Sequence, residues 1–182
     1  FVPCPITPGL WKDLQSDLIF SLVVDDFGVR YTNKASVDRL INVLEQKYKC
    51  TQDWDGTRYI GLTLEWDYFN RHVDLSMPGY VERALQRFKH SAPTRKEDSP
   101  HDWTAPNYGS RQQFASHDDS PLVDSRDTKR IQEVLGTFLF YGRAVDLTMV
   151  TAIGLVATEQ SCATELTMKA VTRLLNYAAT HP

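Results

Sequence analysis

The sequence predicts an α+β chain: a mixed α/β unit, a polar connecting stretch and an α-helical unit. Three observations predict it. Residues 8–32 hold short apolar runs separated by polar turns, the pattern of successive strands. Val37, Leu40, Ile41 and Leu44 then recur at i, i+3, i+4 and i+7, one face of a helix. Beyond residue 124 the helical spacing returns three times, after a stretch rich in Pro, Ser and charge.

Taken in order, "GLWKD" and "LIFSLVV" read as strands separated by the turn "LQSD", with "FGVRYT" following. The run Leu18–Val24 is almost continuously apolar, which predicts a strand covered on both faces. Ser36 is the expected N-cap of the first helix. "DWDG" at 53–56 is a turn, "RYIGLTLEWDY" a strand, "FNR" a turn and "HVDLSM" its hairpin partner. Gly61 inside that strand marks a bulge or a close backbone approach. Pro78 suits the first turn of a helix whose apolar face is Val81, Ala84, Leu85 and Phe88.

From Ser91 to about Asp124 little can be buried, and the segment reads as a linker or long irregular loop. Trp103 within it is expected to dock onto the α/β unit. Three helical segments follow. The first carries Ile131, Val134, Leu135 and Phe138; the second runs from about Thr148 to Gln160. The third carries Met168, Val171, Leu174, Leu175 and Ala178, with Thr164 as cap. Arg143 and Asp146 are expected to join or cap these helices.

Composition narrows the function classes. The 182 residues are 42% hydrophobic and 24% charged, enough for one domain or two small ones. A net charge of −3 gives no global attraction for nucleic acid. No apolar run reaches the ~18 residues of a membrane helix, and no signal-peptide pattern opens the chain. Cys4, Cys50 and Cys162 are odd in number and far apart, which argues against a disulfide framework or a zinc spacing. An intracellular setting is expected, with cytoplasm and nucleus not distinguished. The abrupt ends, "FVPCP" and "YAATHP", lead to the expectation of a segment of a longer protein.

Asp25 and Asp26 interrupt "FSLVVDDFGVRY", where two adjacent carboxylates repel each other and are costly to desolvate without a cation. One reading is local: Asp is a common turn residue, and a two-residue Asp-Asp hairpin turn needs no function. The kinase-like string "DFG" at 26–28 stands without a Gly-rich loop, "HRD" or "APE". The other reading is metal binding, because hard cations such as Mg²⁺ or Mn²⁺ take carboxylate oxygens together with waters and substrate phosphates. Bound cations would offset the repulsion and serve in-line phosphoryl displacement.

The order of blocks, from "PGLW" through "VVDD", "YIGLTLEW", "PGYVERALQRF", "LGTFLFYGRAVDLTMVTAI" and "AVTRLLNYAATHP", resembles the reverse transcriptase of Ty1/copia-type retrotransposons. The resemblance runs through nearly the whole chain. It implies a partial polymerase palm, an antiparallel sheet with packed helices, followed by a helical thumb and connection region. Residues 1–77 would be the partial palm, 78–126 the thumb start and polar linker, and 127–182 the helical connection. It implies that Asp25 and Asp26 are catalytic metal ligands for Mg²⁺ or Mn²⁺, and that Tyr59, Gly61 and Leu62 are a primer grip. The implied partners are an RNA or DNA primer–template, dNTP and the remainder of a polyprotein. Val23 stands where family members often have Tyr. A further palm Asp and the fingers would precede Phe1, and a ribonuclease H domain would follow Pro182, so the isolated chain is expected to be inactive.

Arg83, Arg87 and Lys89, with His90, lie on the polar side of the 80s helix. They read either as a solvated face or as phosphate contacts along a duplex. Trp54 and Trp66 are expected to pack in the core. A decayed or co-opted module that binds nucleic acid or protein without catalysis is the alternative function.

Overall fold

The computed structural model describes residues 1–103, 108–109 and 118–182. The chain is α+β and divides into two compact units, Phe1–Ser76 and Met77–Pro182. The thumb-start, linker and connection segments read from the sequence therefore fall in one unit.

The first unit carries an antiparallel sheet in the order β1 (Val2–Pro3), β2 (Leu10–Lys12), β3 (Ile19–Val23), β4 (Asp26–Arg30). β3 is paired on both sides, Trp11 opposite Phe20 and Ser21 opposite Gly28. The sequence predicts cover on both faces of this strand; the burial is one-sided. Leu18 and Phe20 are buried against Val37 and Leu40 of helix α1 (Lys34–Glu45), with Leu22, Phe27 and Val29 packed beside them. Val23 on the other face is 45% exposed. Burying each of Leu18, Phe20, Val37 and Leu40 stabilises the unit by about 1.5–3 kcal/mol.

α1 starts earlier than the sequence predicts. Asn33, not Ser36, is the N-cap: its side chain accepts the Ala35 N–H at 2.9 Å, and its carbonyl accepts the Ser36 N–H at 3.1 Å. Asn is as good a cap as Ser, and Lys34 and Ala35 are good helix formers, so the earlier start gains a helical turn.

A second sheet has the order β5 (Arg58–Tyr59), β6 (Leu62–Asp67), β7 (His72–Ser76). The predicted single strand from residue 58 is broken by a two-residue turn. Ile60 (φ 46°) and Gly61 (φ 82°) are both left-handed, the backbone signs of a type I′ hairpin. Gly61 thus serves a turn, and a Cβ there would meet nothing within 4 Å. The "DWDG" turn forms as read: Asp53 accepts the N–H groups of Gly56, Thr57 and Arg58. Trp54 and Trp66 are not core residues, at 44% and 46% exposed. Trp54 lies edge-on to Tyr31 beneath the Lys34 ammonium, and Trp66 stacks on Tyr68.

The second unit holds α2 (Tyr80–Arg87), α3 (Ser125–Ala144), α4 (Thr148–Glu159) and α5 (Glu165–Thr180). Pro78 lies outside α2, whose cap is Gly79 at φ 70°. Asp124 caps α3 through the Asp127 N–H at 2.8 Å, and Thr164 caps α5 in a capping box with Thr167. Asp146 accepts the Thr148 N–H at 3.1 Å at the start of α4. The apolar spacings close into one core: Ile131, Val134 and Phe138 of α3, Met149 and Val156 of α4, and Val171, Leu174 and Leu175 of α5 are all at most 2% exposed. Val81, Ala84 and Phe88 of α2 are buried as well.

The predicted linker is pinned at both described ends. Arg173 of α5 pairs with Glu97 at 3.1 Å and Asp102 at 2.7 Å and donates to the Ser99 carbonyl. Further on, the Pro121 carbonyl accepts the Glu165 N–H and Val123 N–H donates to Ala163 O. Residues 104–107 and 110–117 of the predicted loop lie outside the described residues. Trp103 is 79% exposed and lines a shallow cleft of about 300 Å³ with Thr151, Ala152 and Leu155 of α4, within its own unit.

Candidate functional site

The Asp pair sits at the tip of the β3–β4 hairpin. Val23 pairs with Asp26, so the two-residue turn is Val24–Asp25, with Asp26 already the first residue of β4. This corrects the Asp-Asp turn of the sequence reading. Val24 has φ 54° and is 88% exposed. Left-handed backbone in a β-branched residue costs about 1–2 kcal/mol, and nothing buried compensates at this side chain. Glycine is the residue such a turn favours. Val24→Gly is therefore expected to raise stability by about 1 kcal/mol in urea unfolding, even after glycine's larger unfolded-state entropy. A loss of stability would show that Val24 makes contacts its exposure denies.

Both carboxylates are exposed, and no donor of the described residues engages either one. Alternation along β4 places Asp26, Gly28 and Arg30 on one face, and Phe27 and Val29 on the face that packs against α1. The acidic tip thus belongs to the sheet face opposite the helix. Among the described residues no group of three or more His, Cys, Asp or Glu is arranged to hold a metal ion. By donor chemistry alone the two carboxylates suit a divalent cation, since Mg²⁺ is commonly held by one or two carboxylates with waters and phosphates completing its shell.

The three residues read as a primer grip have different situations. Leu62 is buried at 9% exposure, and Gly61 is exposed in its turn. Tyr59 reaches the Asp-bearing hairpin: its hydroxyl lies 2.8 Å from Ser21 Oγ. Ser21 Oγ in turn donates to the Gly28 carbonyl at 3.3 Å. Sequence reasoning overlooked Ser21 and Gly28. The signal was present, since a glycine within a strand marks close approach, and Gly28 is such a glycine.

The basic residues do not form one row. Arg83 and Arg87 are exposed at i, i+4 on α2. Arg87 lies 3.9 Å from Glu133 and over the Phe88 ring. Lys89 is past the end of α2 with φ 51°, and His90 is held by Asn176 at 2.8 Å. His90 is therefore a structural partner of α5.

Elsewhere in the first unit, carboxylates are tightly engaged. Asp13 is buried and accepts from Ser16 Oγ at 2.6 Å, from the Gln15 N–H and from Arg39. The Ser16 hydroxyl, then the Gln15 amide and the Arg39 charge, hold its carboxyl below the usual range despite its burial. No described helix is long and apolar enough to cross a membrane. Comparison with models of known families, with curated proteins and with solved structures finds no match for this chain.

Proposed function

We propose that the chain is a fragment of an RNA-directed DNA polymerase of the retrotransposon type, whose β3–β4 hairpin offers Asp25 and Asp26 to Mg²⁺ or Mn²⁺. The observation that supports this reading is the pair itself: two unpartnered carboxylates at the tip of a hairpin backed by a helix on its other face. When bound, divalent ions supply charge neutralisation and lower the pKa of an attacking hydroxyl. The protein's part is to hold the two carboxylates at the hairpin tip without a competing internal cation. The Ile60–Gly61 turn, held between Tyr59 and the buried Leu62, would contact primer. Arg83, Arg87 and Lys89 would contact phosphates, a term that weakens steeply with salt. The remaining palm carboxylate and the dNTP-binding residues would come from the rest of a polyprotein.

The test is Mn²⁺ titration of the chain, followed by paramagnetic broadening of backbone amides. Broadening centred on Asp25 and Asp26, and weakened at least tenfold in both Asp25→Asn and Asp26→Asn, is expected. Broadening spread evenly over the acidic surface would sink the reading. Primer extension by the isolated chain should be undetectable, because two carboxylates do not complete a nucleotidyl-transfer site.

The absence of a third ligand among the described residues favours one other reading, a non-catalytic nucleic-acid-binding or interaction module. There Asp26→Asn would leave the melting temperature unchanged or raised, with or without Mg²⁺.

A further inference from the structure

We infer that Tyr59 is a positioning residue that latches the Asp25–Asp26 hairpin to the second sheet of its unit; its link to function rests on the reading of that pair as the chemical site. Three independent features converge. The Tyr59 hydroxyl is 2.8 Å from Ser21 Oγ, although the two residues are 38 apart in sequence. Ser21 Oγ also lies 3.3 Å from Gly28 O, so Tyr59 can donate to Ser21 Oγ while Ser21 donates to that carbonyl. Gly28, directly opposite Ser21, leaves room for the ring. A Cβ there would stand 3.1 Å from two Tyr59 ring carbons and 2.8 Å from Ser21 Oγ.

The latch is close to the tip and on the matching face. Asp26 and Gly28 are two residues apart on one strand face, about 7 Å along β4. Val23, opposite Asp26, shares that face with Ser21. Tyr59 is also the closing residue of the second turn, paired with Leu62 across Ile60–Gly61. One hydroxyl and one absent side chain therefore tie the Ile60–Gly61 turn to the Val24–Asp25 turn. A strained, exposed tip needs such a brace, since Val24 buries nothing that would hold it. In these terms the Gly in "DFGVR" is there to admit an aromatic ring, and the Tyr in "RYIG" is there to fill the space.

The experiment uses the ¹⁵N-labelled full chain. Amide exchange is measured across Leu22–Phe27, with the Tyr68–Arg71 turn as internal control, in wild type, Tyr59→Phe, Ser21→Ala and the double variant. Loss of one partly buried hydrogen bond should speed exchange at the tip about fivefold. The control turn should be unmoved, and the double variant should be no faster than Ser21→Ala, which already removes the shared bond together with the Ser21–Gly28 contact. Equal protection at the tip in wild type and Tyr59→Phe overturns the inference, as does additive loss in the double variant. Mn²⁺ broadening, followed in the same samples, separates the two ideas. Broadening at the pair that needs several-fold more Mn²⁺ in Tyr59→Phe supports latch and metal site together. Faster tip exchange with no Mn²⁺ response even in wild type leaves the latch standing and removes the metal reading.

Discussion

Phe138→Ala is expected to lower the stability of the helical unit by about 3–5 kcal/mol, the largest effect of any single truncation proposed here. Phe138 is 0% exposed and heads the fully buried side chains by volume. It lies on α3, which packs against both α4 and α5. The cost has two parts: the transfer free energy of the lost ring, and the cavity left because packed helices collapse only in part. Proteins of this size are stable by about 5–15 kcal/mol in total, so the variant should stand near the edge of folding. Urea unfolding followed by far-ultraviolet circular dichroism is the measurement. The midpoint should fall with little change in slope. Phe138→Leu, which keeps most of the volume, should recover most of the loss. A shift below about 1 kcal/mol for the Ala variant would mean that the core around α3 is loosely packed.

That residue was legible in the sequence, and the reason is periodic. Ile131, Val134, Leu135 and Phe138 repeat at 3.6, and a long helix with one buried stripe has few alternatives. The same holds for Val171, Leu174, Leu175 and Ala178 behind Thr164, a residue whose hydroxyl makes the cap. Short elements were less legible. Asn33 and Ser36 are both competent caps by residue type, and the bond from the Ala35 N–H to the Asn33 side chain starts α1 at the earlier one. The break at Ile60–Gly61 is hidden because Ile is a strand former and is rarely left-handed; pairing on both sides forces it. Trp54 and Trp66 look like core from composition, yet a half-covered indole with its N–H satisfied can rest on a sheet surface: Trp66 Nε1 donates to Gly56 O at 2.8 Å.

The candidate site was legible in one respect only. Two adjacent acids between strand-like runs point to a hairpin tip, and they are at one. Which of them is in the turn, and what braces the turn, depends on contacts 38 residues distant in sequence. Spacing rules act over a few residues and carry no information about that pairing. The one local clue was Gly28, which is costly in a strand unless something needs its space.

The second large effect is expected in acid, and it should fall on the strand unit. Asp13, Asp53 and Asp67 all titrate below the ordinary carboxylate range. The main causes are the Ser16 hydroxyl for Asp13, the Thr57 hydroxyl for Asp53 and the Asn70 backbone N–H for Asp67. A depressed folded value means that the unfolded chain binds the proton more readily than the folded one. The stabilisation is thus fully present above the unfolded value of about 4 and is lost as pH falls through the lower folded values. The unit has little apolar reserve against that loss, since its main core cluster is Leu18, Phe20, Val37 and Leu40 with partly buried neighbours. The helical unit carries the opposite sensitivity. Burial pushes the phenols of Tyr80 and Tyr141 above their ordinary value, so their contribution is present below about pH 10 and lost as pH rises through the folded values. Tryptophan emission reads the acid limb, because Trp11, Trp54 and Trp66 lie in the strand unit and Trp11 stacks on Phe20. It should report a cooperative loss between about pH 4 and 2. Arg39→Met removes a cation that pairs with buried Asp13, so it should destabilise the unit at neutral pH and move its acid midpoint upward. An acid midpoint unchanged in Arg39→Met would mean that Ser16 and the Gln15 amide hold the Asp13 charge without help.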